Sequence, residues 1–256
     1  MTLKNQIVFI TGASSGIGAS CAKAFALQGA RLILCARREN QLAEVIREIQ
    51  KKNPADIYSF HLDVRHCDAV QRSIDQLPDE WKEIDILVNN AGLSRGLDKI
   101  HTGLIDDWEE MIDTNVKGLL YISRAVVPGM VERKKGHVIN IGSIAGQEVY
   151  PNGNIYCATK HAVDAITKGM RMDLVDTPVR ISTIDPGMVE TEFSIVRYHG
   201  DEARAKKTYQ GIDVLTPDDV ADAVIYAATR PLHVSINQIV LTPAAQASAL
   251  VVHRQS

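Results

Sequence analysis

The sequence predicts a single doubly wound α/β domain over residues 1–256, with a seven-stranded parallel sheet flanked by helices. Short apolar segments alternate along the chain with longer segments of helical periodicity. Such strands, apolar on both faces, are typical of a parallel sheet covered by helices on both sides. A length of 256 residues and a hydrophobic share of 45% are sufficient for one large core.

The predicted elements follow one another in strict order. Apolar segments predict strands at residues 7–10, 32–35, 57–62, 84–88, 138–141, 179–184 and 236–241. Helices are predicted from residue 16, around 42–49, over 68–77, 106–133 and 155–175, and from residue 216. The last begins well because Thr216 can cap it, Pro217 suits the first turn and Asp219 completes a capping box.

The segment from about 187 to 212 interrupts this alternation. It is long and polar, and Gly200 breaks it. Long connections of this kind in a compact domain are often functional, so we expect a lid or substrate-binding insertion.

Composition excludes several classes of protein. Lys and Arg number 28 against 31 Asp and Glu, a net charge of −3, which argues against nucleic acid or an anionic membrane as the main partner. The four cysteines show no C-x-x-C spacing, so no metal site is expected. No apolar run approaches the roughly 18 residues of a membrane span, and the first residues do not resemble a signal peptide. We therefore expect a soluble, cytoplasmic protein.

A glycine-rich segment joins the first strand to the first helix. Its glycines, Gly12, Gly16 and Gly18, have the spacing G-x-x-x-G-x-G. They permit a tight turn and close approach of a pyrophosphate, and the helix N-terminus attracts its negative charge. The predicted contacts are Gly12, Ser14, Ser15, Gly16, Ile17 and Gly18.

Two arginines follow the second predicted strand, where an NAD-binding site of this type usually has an acidic residue. Arg37 and Arg38 suit the 2′-phosphate of NADP(H), which is therefore the predicted cofactor. Alternatively, the pair is a solvated feature of a helix start, although cations are unfavourable there unless an anion is bound. Glu39 could also neutralise one of them.

Tyr156 and Lys160 are spaced to share one face of a predicted helix. A nearby ammonium lowers the pKa of a tyrosine from near 10 and makes it a usable proton donor and acceptor. Ser143 follows the fifth strand, where ligands bind in open α/β sheets, and could hold a substrate oxygen. A Y-x-x-x-K spacing alone has low specificity.

Taken together, these motifs resemble the short-chain dehydrogenase/reductases, which have a Rossmann fold, over essentially the whole chain. The resemblance rests on residues 11–18, 89–92, 115, 143, 156–160 and 186–187 in that order. It implies hydride transfer with Tyr156 as general acid and base, Ser143 orienting the carbonyl, Lys160 binding the nicotinamide ribose and Asn115 holding a water. The further cofactor contacts that it implies are Asp63, Val64, Asn89, Ala91, Gly92, Pro186, Gly187, Val189 and Thr191. Alternatively, residues 89–92 stabilise the end of the sheet and Asn115 marks a helix kink.

A narrower similarity involves residues 85–92, 142–147, 187–198, 219–222 and 246–248. These are similar to NADP-dependent 3-hydroxy acid dehydrogenases, the branch that includes serine and allo-threonine dehydrogenases. A small carboxylate substrate needs a cation, and Arg197 in the insertion is the candidate, or else a solvated loop residue. Gln147 could hydrogen-bond the polar end of the substrate.

Two other functions remain open at this point. One is reduction of another carbonyl, either a 3-oxoacyl carrier thioester or a sulfonated aldehyde, although the sequence shows no evident basic patch for docking a carrier protein. The other is a non-enzymatic NADP sensor; such proteins can lose the tyrosine or lysine, and this chain has both. The family resemblance also implies a homotetramer built through the two long helices.

Overall fold

The computed structural model describes residues 2–255. Within them, seven parallel strands form one sheet in the order β3-β2-β1-β4-β5-β6-β7. The strands are β1 Ile7–Thr11, β2 Arg31–Ala36, β3 Ile57–His61, β4 Ile86–Asn89, β5 His137–Ile141, β6 Arg180–Pro186 and β7 Gln238–Leu241. The α-helices are α1 Gly16–Leu27, α2 Glu39–Lys52, α3 Cys67–Asp75, α4 Ile105–Ile112, α5 Leu119–Glu132, α6 Asn154–Asp173, α7 Phe193–Arg197, α8 Glu202–Thr208 and α9 Pro217–Thr229.

Helices cover both faces of the sheet, as predicted. Buried residues of α1, α2 and α9 pack on one face, and those of α3 and α5 pack on the other. The helix α6 joins the second layer, where Asn140 of β5 donates a hydrogen bond to Thr167 at 2.8 Å. No helix in the described part of the chain is long and apolar enough to cross a membrane.

Two edge strands depart from the expectation that the strands are apolar on both faces. Strands β3 and β7 are only partly buried. Each has a single hydrogen-bonded neighbour, and the helical layers do not cover the sheet edges completely. The central strands β1, β4, β5 and β6 are buried along their whole length.

The long helix predicted over 106–133 is divided into α4 and α5 by a π-helical turn, Asp113–Gly118. π-Turns inside α-helices frequently occur at functional sites. The insertion is not a plain loop either, because it contains the short helices α7 and α8. The capping box of α9 is present: Asp219 N donates to Thr216 Oγ1 at 3.3 Å, and Thr216 N donates to Asp219 Oδ2 at 2.7 Å.

Strand order reverses beside β1. The chain runs outward from β1 to β2 and β3, then returns to place β4 on the opposite side of β1. The loops at the carboxyl ends of β1 and β4 therefore diverge and leave a crevice, the usual ligand position in such sheets.

Candidate active site

A cleft of about 410 Å³ lies at the carboxyl ends of the strands. Most of the residues predicted from the sequence line it together. These are Gly12, Ser14, Ser15, Gly16, Ile17, Arg37, Arg38, Asp63, Val64, Ala91, Gly92, Ser143, Tyr156, Lys160, Pro186, Gly187, Val189 and Thr191. The predicted residues Gly18, Asn89, Asn115, Gln147 and Arg197 are not part of this lining.

The glycine-rich loop has the shape that a dinucleotide requires. Gly12 and Gly16 have φ angles of +65° and +52°, which side chains other than glycine rarely adopt. A Cβ on Gly18 would overlap the carbonyl oxygen of Gly12, so Gly18 allows the loop to pack tightly on α1. No side chain caps the first N–H groups of α1. These donors and the open cradle fit a pyrophosphate, which supports the predicted cofactor class.

At the outer end of the cleft, both arginines are paired with acidic residues. Arg38 contacts Glu192 at 2.8 Å and Ser15 Oγ at 2.6 Å, and Arg37 contacts Glu110 at 3.3 Å. Neither partner is Glu39, the neighbour that the sequence suggested. Tertiary packing therefore supplies both counter-charges.

Asp63 also has a cationic partner at this end. Burial raises its pKa, but hydrogen bonds from Arg65, the shortest at 2.6 Å, outweigh this effect and hold the pKa below its usual value. The carboxylate is therefore ionised at neutral pH.

Tyr156, Ser143 and Lys160 meet at the inner end of the cleft. Tyr156 and Lys160 project from α6, and Ser143 follows β5. Ser143 Oγ donates to the Pro186 carbonyl at 3.4 Å, while Lys160 Nζ donates to the Ile141 carbonyl at 2.9 Å and lies 6.0 Å from the centroid of the tyrosine ring. A hydroxyl, a phenol and an ammonium are thus assembled around one point, as proton transfer to or from an oxygen requires.

The electrostatic surroundings of Tyr156 differ from the expectation that Lys160 lowers its pKa. Burial raises the pKa of Tyr156, and the effects that oppose it come from the Arg197 guanidinium and the Ser143 hydroxyl. The guanidinium carbon lies 5.1 Å from the ring centroid, closer than the Lys160 ammonium. Arg197 is therefore the nearer cation to the ring.

Asn115 lies in the π-helical turn, buried behind the cleft. Its Oδ1 accepts from Leu93 N at 2.8 Å, and its Nδ2 donates to Leu93 O at 2.8 Å and to Thr159 Oγ1 at 3.0 Å. The side chain thus fixes the segment after β4 against α6. It does not satisfy its own helix backbone, as the kink interpretation supposed.

Asn89 has a similar bracing function at the end of β4. Its Nδ2 donates to Ser123 Oγ at 3.0 Å and to Asn140 Oδ1 at 2.9 Å. These contacts match the interpretation that this motif stabilises the end of the sheet.

Helix α7 carries Arg197 toward Tyr156. Arg197 Nε donates to Ser94 Oγ at 2.9 Å, and Nη2 donates to Tyr150 OH at 2.8 Å. Its other near neighbours are the rings of Tyr156 and Phe193. In the described part of the chain, no carboxylate lies within ion-pair distance of this guanidinium, so its charge is uncompensated.

The structure places Gln147 elsewhere. Its Nε2 donates to Asp185 Oδ2 at 3.1 Å, and the residue is exposed outside the cleft lining. Its amide nitrogen is therefore directed to a buried carboxylate of β6.

Two residues at the site, Arg95 and Thr114, carried no recognisable signal in the sequence. Arg95 lines the cleft and contacts Glu110 at 2.7 Å and the Val196 carbonyl at 2.8 Å, so it links α4 to α7. Thr114 also lines the cleft, and its buried hydroxyl has no hydrogen-bond partner among the described residues. An unpaired buried hydroxyl is a natural contact for a ligand.

Comparison with known proteins agrees with this geometry. The family profile described as short chain dehydrogenase matches residues 6–201. The chain belongs to the short-chain dehydrogenase/reductase family. The fold, the family and the oxidoreductase class predicted from the sequence are therefore confirmed.

Individual relatives cover nearly the whole chain. It is 48% identical over 252 residues to the NADP-dependent 3-hydroxy acid dehydrogenase YdfG of Escherichia coli strain K12. The aligned region covers 98% of this chain and 100% of that protein. It is 42% identical over 252 residues to sulfoacetaldehyde reductase 2 of Chromohalobacter salexigens, covering 98% and 99%. The closed form of serine dehydrogenase complexed with NADP⁺ is a solved structure with 48% identity and a TM-score of 0.91, covering 98% and 100%.

Proposed function

We propose that this protein uses NADP(H) to interconvert a small 3-hydroxy acid and the corresponding semialdehyde or ketone. Relatives that are nearly half identical over their full length are named for this activity and this cofactor. The observation that carries the proposal is the Arg197 guanidinium, which lies beside Tyr156 without a carboxylate partner in the described chain.

The cleft residues divide into three groups in this proposal. The glycine-rich loop holds the pyrophosphate of NADP(H), Arg37 and Arg38 hold its 2′-phosphate, and Lys160 holds the nicotinamide ribose. When bound, the nicotinamide accepts or supplies the hydride. The remaining predicted contacts, Asp63, Val64, Asn89, Ala91, Gly92, Pro186, Gly187, Val189 and Thr191, complete the site; Asn89 acts by supporting the end of the sheet.

Proton transfer falls to Tyr156. During oxidation the substrate hydroxyl gives its proton to the Tyr156 phenolate oxygen. The hydrogen on the same carbon would leave as a hydride to the nicotinamide, and the C–O bond becomes a carbonyl. Ser143 donates a hydrogen bond to the substrate oxygen, and Arg197, the cation nearer to the tyrosine ring, favours the phenolate, with Lys160 the more distant cation. Asn115 fixes the segment that carries Leu93 and supports the water that the family resemblance implies.

Substrate selection falls to Arg197. A guanidinium pairs with a carboxylate through two parallel hydrogen bonds and so fixes its orientation as well as its distance. Such a contact would hold the β-carbon of the acid near Tyr156 and Ser143. Gln147 was predicted to contact the polar end, but its bond to Asp185 supports a role in the loop after β5 instead.

A sulfonated aldehyde is the second candidate substrate. A relative at 42% identity is named sulfoacetaldehyde reductase 2, and a guanidinium can pair with a sulfonate as with a carboxylate. Assays with 3-hydroxypropionate and with sulfoacetaldehyde, each with NADP(H), would decide between the two classes.

Kinetics of Arg197→Leu test the proposal. The kcat/KM for 3-hydroxypropionate should fall about 10- to 150-fold, equivalent to about 1.5–3 kcal/mol for a charged hydrogen bond. The kcat/KM for the uncharged 3-hydroxypropionamide should change little. Arg204→Leu is the matched control, since Arg204 belongs to the same insertion but packs on Tyr198. An equal loss with both substrates would assign Arg197 to the folding of the insertion, and no loss with either would remove it from substrate binding.

Three further properties belong to the same proposal. The continuous sheet supports one NADP-binding catalytic domain over residues 1–256, with 187–212 as its substrate loop. Exposed apolar residues, among them Leu120 on α5, Met172 on α6 and Val175 in the turn after α6, support a homotetramer, which light scattering would test. We also propose a cytoplasmic location.

A further inference from the structure

A buried carboxylate lies behind the catalytic residues. Asp185, near the end of β6, is only 3% exposed. Its Oδ1 accepts a hydrogen bond from Thr183 Oγ1 at 2.6 Å, and its Oδ2 accepts from Gln238 Nε2 at 2.6 Å and from Gln147 Nε2 at 3.1 Å. All three donors are neutral. Within residues 2–255, no Lys, Arg or His forms an ion pair with this carboxylate.

The hydrogen-bond partners of this buried carboxylate carry no charge. Burial of an unpaired charge is costly, and neutral hydrogen bonds compensate only part of that cost. A cation at slightly longer range can supply the rest, because charges in a protein interior interact more strongly than in water.

The position of Lys160 makes it the cation that can interact with Asp185 at this longer range. Its Nζ donates to the Ile141 carbonyl at 2.9 Å, and it is only 8% exposed. Asp185 packs against Gly142, the residue that follows Ile141, since a Cβ on Gly142 would overlap Asp185 Oδ1. Ile141 is paired with Ile184 in the sheet, directly before Asp185. The ammonium and the carboxylate therefore flank one short piece of backbone, immediately before Ser143.

We propose that Asp185 is a positioning residue whose negative charge keeps the buried Lys160 side chain protonated and directed to the Ile141 carbonyl, so that it can support the reaction at Tyr156. This inference rests on the proposed function, since it concerns the same proton transfer. Asp185 itself touches neither substrate nor cofactor in this proposal.

The surroundings of both groups agree with this assignment. Burial lowers the pKa of Lys160 to about 8, and the charge of Asp185 opposes that decrease. The other titratable groups that face the lysine are Tyr156, one turn earlier on α6, and Arg197 beyond the tyrosine ring. On the side of β4, Lys160 Nζ lies near Gly92, which carries no charge. Loss of the Asp185 charge would therefore lower the pKa of Lys160 further.

A direct test follows the titration of Lys160 in protein labelled with ¹³C at lysine Cε. The Lys160 resonance is identified by its loss in Lys160→Met, and its midpoint is compared in Asp185→Asn. The midpoint should move down by about one pH unit or more, a tenfold loss of proton affinity. Asp222→Asn, which removes an exposed carboxylate from α9, should leave it unchanged. An unchanged midpoint in folded Asp185→Asn would overturn the proposal.

A second variant keeps the test decisive where Asp185→Asn does not fold. Gln238 is exposed on the edge strand β7 and already touches Asp185, so Gln238→Lys would place a competing ammonium on the carboxylate. The Lys160 midpoint should again decrease, whereas Gln238→Met should have little effect. Equal midpoints in these two variants would count against the proposal.

The titration needs no substrate, so it separates this inference from the proposed function. A lowered midpoint without turnover of any 3-hydroxy acid would contradict the proposed function alone. With turnover, the alkaline limb of the kcat/KM profile should move to lower pH in Asp185→Asn, because activity is lost as Lys160 deprotonates. A purely structural role for Asp185 would lower the melting temperature but leave both titrations in place.

Discussion

The preference for NADP(H) should depend on Arg37 and Arg38, and replacing both by Ala is the sharpest perturbation of the cofactor site. Their side chains are 42% and 45% exposed, and each already contacts an acidic residue, Glu110 or Glu192. A bound 2′-phosphate would share each guanidinium with that residue. Ala at both positions removes the phosphate partners and leaves Glu192, which lines the cleft, without its arginine.

The magnitude follows from this exposure. A hydrogen bond to a charged group contributes about 1.5–3 kcal/mol, and near-half exposure favours the lower end of that range. Loss of both contacts should then cost about 3 kcal/mol, or roughly a hundredfold in NADP⁺ affinity at about 1.4 kcal/mol per factor of ten. NAD⁺ lacks the phosphate, so its affinity should change by much less.

The assay compares kcat/KM for NADP⁺ and NAD⁺ with the same hydroxy acid, together with cofactor affinity from fluorescence quenching. A matched control is Arg47→Ala combined with Lys51→Ala, which removes two positive charges from the exposed side of α2. Its NADP⁺ preference should be retained. If the double arginine variant lost NAD⁺ and NADP⁺ affinity equally, the two residues would be structural, and the argument from phosphate recognition would fail.

Two further predictions concern a catalytic group and a buried histidine. Tyr156→Phe should lower turnover by roughly 10²- to 10⁴-fold, because it removes the transferable proton, while NADPH binding should persist; near-normal turnover would contradict the assigned role. Burial and the nearby Arg180 lower the pKa of His137 to about 3, so between about pH 6.5 and that value the unfolded chain binds more protons. The free energy of unfolding should therefore decrease on acidification, by at most about 1.4 kcal/mol per pH unit from this residue, and His137→Gln should reduce that slope in urea unfolding at about pH 7 and pH 5.

Local patterns were enough to predict the fold and most of the cleft lining. The glycine spacing reports a turn between one strand and one helix, and the four-residue separation of Tyr156 and Lys160 places both on one helix face. Each of these motifs spans only a few residues, so it can be recognised in the sequence without knowing how the elements pack. The alternation of strands and helices then brings these loops to one edge of the sheet.

The sequence was less informative about element interiors and edges. The π-helical turn around Asn115 interrupts a segment whose apolar periodicity predicts one continuous helix. The partial exposure of β3 and β7 depends on strand order, which apolar runs do not encode. Short helices within the 187–212 insertion were likewise missed, since segments of five to seven residues are too short to show helical periodicity.

By itself, then, the sequence determined the fold class, the phosphate loop and the identity of the tyrosine, lysine and serine, because these features depend on neighbours along the chain. Only the tertiary structure decided which contacts the charged side chains make. Arg38 reaches Glu192 across 154 positions, Arg197 reaches Ser94 across 103, and Asp185 lies beside the Ile141–Gly142 segment. Contacts between such distant residues arise when packed elements bring side chains together, and the Coulomb interactions that set the pKa values depend on those distances and on burial.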